Sequence, residues 1–96
     1  MTKYYYMYIL TNFSNTVLYI GVTGNLIQRI YRHKHKIGSE FTSKYNVNKL
    51  VYYEQFITPL DAIRREKQLK CWSRYDKDKL VDTLNPNRVD LYASIL

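Results

Sequence analysis

Glu66 is the residue with the most chemistry to explain. Residues 59–72 read as a helix on which Glu66 falls in register with Ala62, Ile63, Leu69 and Lys70, so a carboxylate stands on a mostly apolar stripe. There it loses hydration and has to be paired, hydrogen-bonded or bound to a cation. One reading is a buried ion pair with Arg64, Arg65 or Arg29. The other is a metal ligand, because a hard cation such as Mg²⁺ takes few protein carboxylates and keeps waters, leaving room for a phosphate oxygen.

Arg29 stands one helical turn past a glycine-containing break that follows a strand-like run. A guanidinium there can reach across the strand ends and hold a phosphate bidentately, although an arginine on a helix edge is also an ordinary solvated charge. His33, four residues on, shares the face of Arg29 and reads equally as a proton-handling group or a surface histidine. Further along, Arg64, Lys67, Lys70, Trp72 and Arg74 interleave phosphate-seeking charges with a stacking ring, the composition of a nucleic-acid face. A helix with Trp72 tucked into the core and a solvated lysine side has the same composition, and the two readings are compatible. Tyrosine is the compositional outlier, with 11 copies beside 3 Phe and 1 Trp. A phenol can pack, stack on a base or carry a proton, so position decides.

The elements that must hold these groups begin with residues 4–10, an aromatic and β-branched run, then a turn-forming stretch, then a second run over residues 17–22. Together they predict a β-hairpin with a loop longer than the two-residue ideal. Thr23-Gly24-Asn25 ends the second run, and Asn25 with Gln28 resembles a capping box for a helix reaching about Lys36, with Leu26, Ile27 and Ile30 as its apolar stripe. Residues 37–48 read as a polar connection, and residues 50–56 as a third strand whose alternation is blurred by Tyr52, Tyr53 and Glu54. Thr58-Pro59-Leu60-Asp61 starts a helix to about Trp72, and a last helix spans roughly residues 76–83 before Asn85-Pro86 stops it.

At 96 residues without a repeat or linker, one domain over residues 1–96 is expected. Fifteen Lys and Arg against 8 Asp and Glu give a net charge of +7, which suits a polyanionic partner, nucleic acid before an anionic membrane surface. No apolar run approaches the ~20 residues that span a bilayer, and Met1-Thr2-Lys3-Tyr4 leads into a strand-like run rather than a signal peptide, so a cytoplasmic location is expected. Cys71 is the sole cysteine and lacks the companions of a disulfide or a zinc site. The nucleotide-binding glycine loops, the GxSxG elbow, the HExxH helix and paired CxxC motifs are all missing, which removes those enzyme classes.

The ordered set of residues resembles the GIY-YIG nuclease superfamily, named for two tripeptides on neighbouring strands. The second is intact as Tyr19-Ile20-Gly21, and the first is Tyr6-Met7-Tyr8, with tyrosine in place of its glycine. Arg29 lies ten residues after Tyr19, at the family's arginine spacing, and His33 stands where the family places His or Tyr. Glu66 matches the metal-binding glutamate on a later helix and Asn85 the downstream asparagine, with Asn87 close by. The lysine some members carry after the second tripeptide is absent, since Val22-Thr23-Gly24 occupy that stretch. The resemblance covers nearly the whole chain and is greatest to short stand-alone members related to the nuclease domain of bacterial nucleotide excision repair.

It implies an α+β fold, a small three-stranded antiparallel sheet flanked by helices, and a metal-dependent endonuclease acting on DNA phosphodiesters, with RNA left open. By the same resemblance Glu66 binds Mg²⁺ or Mn²⁺, Arg29 neutralises transition-state charge, and Tyr19 takes a proton from the attacking water. Tyr8, His33 and Asn85 complete the site. A free phenol titrates near pH 10, so a tyrosine base needs positive charge beside it. Structure-selective or weakly specific cutting, in repair or recombination by analogy, is expected, aided by an accessory protein or a homodimer. The alternative is a non-catalytic nucleic-acid-binding module on the same fold. Retention of Tyr8, Tyr19, Arg29 and Glu66 argues against it, since pure binding does not require an acid facing phosphates.

Overall fold

The pleat of the first strand splits the core in two. In the computed structural model, which describes residues 2–96, β1 (Tyr5–Thr11) lies between β2 (Leu18–Thr23) and β3 (Lys49–Phe56), both antiparallel to it. Met7 and Ile9 point to one face, where they meet Ile20, Val51, Leu69 and Val81. Tyr8 and Leu10 point to the other, onto Leu26, Ile30, Val47 and Leu50. Helices α3 (Pro59–Lys70) and α4 (Arg74–Leu84) contribute to the first cluster, and α1 (Leu26–Lys34) to the second, which α5 (Tyr92–Ile95) also borders. A strand covered on both faces loses its alternation, and residues 7–11 are all buried. The expected α+β sheet and its flanking helices are therefore present.

β3 explains its own blurred alternation. Ile9 pairs with Tyr52 but Leu10 with Leu50, so Val51 is an extra residue, and Val51 and Tyr52 both join the first cluster. Such a bulge breaks the period of two without breaking the strand.

Helix starts follow their caps. Asn25 Oδ1 accepts from the Gln28 amide at 3.1 Å, but the Asn25 amide donates to Thr23 Oγ1 at 3.0 Å, which takes the place of the capping box's return bond from Gln28. Thr58 and Ser73 cap α3 and α4 in the same way. α1 ends two residues before Lys36, because Lys36 adopts φ 57°, outside the helical region. The connection over residues 37–48 contains a short helix, α2 (Glu40–Lys44), capped by Ser39. No helix of the described residues is long and apolar enough to cross a membrane.

Gly21 faces Tyr8 across the β1–β2 pair, and a Cβ at Gly21 would lie 2.5 Å from Tyr8 Cζ and Oη. The glycine is the space that the tyrosine ring occupies. Gly21→Ala is expected to cost about 1–3 kcal/mol of stability by overpacking and to push the Tyr8 hydroxyl from its seat. Chemical denaturation measures the first effect, and the NMR shifts of neighbouring side chains report the second.

Candidate active site

Tyr8 from the central strand, Tyr19 from β2 and His33 from the buried side of α1 meet on the α1 face of the sheet. Tyr8 is fully buried, with its hydroxyl 3.0 Å from His33 Nε2. The Tyr19 ring lies 6.4 Å from that of Tyr8 and 5.6 Å from that of His33. His33 Nδ1 is 3.0 Å from Thr42 Oγ1, and the Thr42 hydroxyl has the Ser39 carbonyl at 3.4 Å. A carbonyl only accepts, so the chain of bonds runs one way: Tyr8 donates to His33, His33 to Thr42, and Thr42 to Ser39. The reverse direction would leave the buried Tyr8 proton without an acceptor among the described residues.

The electrostatics agree with that direction. Burial, assisted by the charges of Arg29 and Arg32, holds His33 down at about 4, so the imidazole is neutral at physiological pH and has one nitrogen free to accept. Burial also pushes Tyr8 up to about 12, with Tyr19 and the Glu66 carboxylate adding to the rise and Arg29 opposing it. Thus Arg29 from α1 and Glu66 from α3 both act on the phenol that His33 holds. His33 is not a surface histidine: with Leu26 and Ile30 it forms the buried face of α1, while Ile27 is exposed.

Glu66 borders the apolar stripe of α3. Ala62 and Leu69 are buried and Ile63 is exposed, leaving the Glu66 side chain 19% accessible. Its ion-pair partner is Lys70, one turn on at 3.5 Å, and none of the three arginines expected for a structural pair. Arg65 is taken by Glu54, at 2.8 and 3.1 Å, and by Gln68. Among the described residues no three of His, Cys, Asp and Glu cluster into a cage for an ion. A lone, partly accessible carboxylate still fits a cation that fills its remaining positions with water and phosphate oxygens.

Beside these groups lies a cleft of about 290 Å³ lined by Tyr19, Thr23, Arg29, Arg32, His33 and Ser39, among others. Asn85 has another occupation. It is buried, its Nδ2 donates to the carbonyls of Val51 and Val89, and its Oδ1 accepts from the Val89 amide, so it ties the end of α4 to β3. Asn87 is exposed. Of the expected nucleic-acid face, Arg64, Lys67 and Lys70 are exposed. Trp72 packs half-buried against the first cluster beneath Arg65, and Arg74 donates to the carbonyls of Asn15 and Thr16 and pairs with Asp78. Trp72 and Arg74 hold the fold together at these contacts. Thr42 was invisible in the sequence, although Ser39 three residues before it is a helix-cap pattern that marks α2.

An unfolded chain protonates histidine near 6.5, while folded His33 resists until about 4. Between those values the unfolded state binds more protons, so stability rises with pH there and is lost on acidification. The melting temperature is expected to fall as pH drops from 6.5 toward 4, and His33→Gln to flatten that part of the curve relative to the parent chain.

Residues 4–79 match the family model of the GIY-YIG catalytic domain. A UPF0213 protein of Staphylococcus haemolyticus is 36% identical over 78 residues, covering 81% of this chain and 94% of that one. Another from Pediococcus pentosaceus is 38% identical over 77 residues, 80% of each. The solution NMR structure of a UPF0213 protein from Bacillus halodurans shares the fold with a TM-score of 0.57, at 28% identity over 88% of both chains. With residues 4–79 matched and these relatives covering most of its length, this chain belongs to the GIY-YIG family of nuclease domains.

Proposed function

We propose that the chain is an endonuclease that hydrolyses DNA phosphodiesters with a divalent cation. The observation that carries this reading is the cluster of Tyr8 from β1, Tyr19 from β2 and His33 from α1, beside a cleft that Arg29 lines, with the charge of Glu66 on α3 felt at the Tyr8 phenol. A binding surface needs the arginine but gains nothing from a carboxylate whose charge reaches the same phenol.

The residues divide the work by their environments. Arg29 lines the cleft, where its guanidinium can hold the scissile phosphate and neutralise charge that grows in the transition state. Tyr8, pushed up to about 12 and committed as a donor to His33, is unsuited to take a proton near neutral pH. Tyr19 lines the cleft, which supports its role as the tyrosine that accepts the proton of the attacking water. His33, neutral and bonded at both nitrogens, orients Tyr8. Glu66 would hold Mg²⁺ or Mn²⁺, which supplies Lewis-acid neutralisation of a non-bridging oxygen and of the leaving 3′-oxygen. Arg64, Lys67 and Lys70 extend a basic surface along exposed positions of α3 for the flanking backbone. Cutting is structure-selective or weakly sequence-specific and takes place in the cytoplasm.

Labelled duplex, single-stranded, flap and branched DNAs, with RNA alongside, test this with Mg²⁺ or Mn²⁺. Glu66→Ala and Arg29→Ala are each expected to lower cleavage by about 10²-fold or more while circular dichroism is unchanged. Salt-sensitive binding with no cutting of any substrate would assign a nucleic-acid-binding module instead.

A further inference from the structure

Arg65, Arg74 and Arg88 are each neutralised by a carboxylate, at 2.8, 3.0 and 2.7 Å. Arg29, Arg32 and Arg64 have no such partner among the described residues, and of these Arg29 and Arg32 line one cleft together, which no acidic side chain shares. Their charges are both felt at His33. Like charges held this close repel, and a third group has to balance them when the cleft is filled.

Arg32 has a prepared seat. Gly38 adopts φ +90°, a conformation that L side chains rarely take, and a Cβ there would lie 3.0 Å from Arg32 Nη2 and 3.5 Å from its Nε. The glycine lets the turn after α1 form and lets the guanidinium rest against it. The Arg32 carbonyl accepts from the Ile37 amide at 2.8 Å, which ties this turn to the residue it seats. Residues three apart on a helix are neighbours on its surface, so one strand of backbone can reach both arginines.

We infer that Arg32, seated over Gly38, is a second phosphate site, which binds the backbone phosphate next to the one held by Arg29. The site rests on the reading of this cleft as the place where nucleic acid binds. Arg32 supplies affinity and strand register there, and Arg29 supplies transition-state charge. Ser39 and Gln28, also on the cleft wall, offer neutral donors to the same backbone.

The experiment is binding of a labelled oligonucleotide without divalent metal across a salt series, so that the result does not depend on cutting. Arg32→Ala is expected to weaken binding and to make the slope of log affinity against log salt shallower by about 0.7–0.9, the loss of one phosphate contact. Arg32→Lys is expected to restore the slope but not the full affinity, since the ammonium keeps the charge and loses the fork. In cleavage assays Arg32→Ala raises KM with kcat nearly unchanged, whereas Arg29→Ala lowers kcat. A folded Arg32→Ala chain with the parent slope overturns the inference and leaves the nuclease reading standing. The altered slope in a chain that cuts nothing upholds the inference and removes the nuclease reading. No binding to nucleic acid at all removes both. Saturation of the cleft by millimolar inorganic phosphate alone, followed by NMR, would make the site one for a free anion and overturn its assignment to a strand.

Discussion

A buried phenol must give its proton to something. Tyr8 is fully enclosed at the centre of the sheet, and its one acceptor among the described residues is His33. That bond lies on the inward face of α1, beside Leu26 and Ile30, where burial keeps the imidazole neutral. It also requires a group for the other nitrogen, which Thr42 of α2 provides. Remove the bond and α1 and α2 lose their shared polar tie to β1. The chemistry proposed for the cleft depends on the same bond, because a tyrosine that is locked as a donor leaves its neighbour as the one free to act.

Much of this was legible in the sequence. The hairpin, the start of α1 at Asn25 and the start of α3 at Thr58-Pro59 follow from local rules, because turn residues, caps and a proline act within a few positions of themselves. Tyr8, Tyr19, Arg29 and Glu66 were readable as an ordered set. What escaped depends on distant partners. The bulge at Val51 is set by pairing with β1, α2 is too short to show a period, and Asn85 serves a carbonyl on β3 that no spacing rule reveals. The partner of Glu66 was also misjudged, because Glu54 on β3 had already taken Arg65.

The surplus of positive charge turns out to be divided. Part of it is structural: Arg74 holds the β1–β2 loop, Arg88 bridges Asp78 and Asp82, and Lys34 ties α1 to Asp90. Asp90 in turn accepts from the amides of Leu50 and Tyr92, so the last residues are anchored to β3. Net charge alone therefore overstates the basic surface open to a polyanion. The cleft stands apart because two arginines without a carboxylate partner among the described residues line it together.

The contact between Gly21 and Tyr8 changes what the family's tripeptide means. The glycine answers to a ring on the neighbouring strand, so the two positions form one unit of variation. A chain with a small residue in place of Tyr8 would leave position 21 free to vary, and one that keeps Tyr8 loses stability when position 21 changes first. Tyr6 shows the contrast. Its ring packs edge-on against Tyr53 and its hydroxyl donates to Gln55 Oε1, so at the first tripeptide's glycine position a tyrosine ring is accommodated by the neighbouring strand.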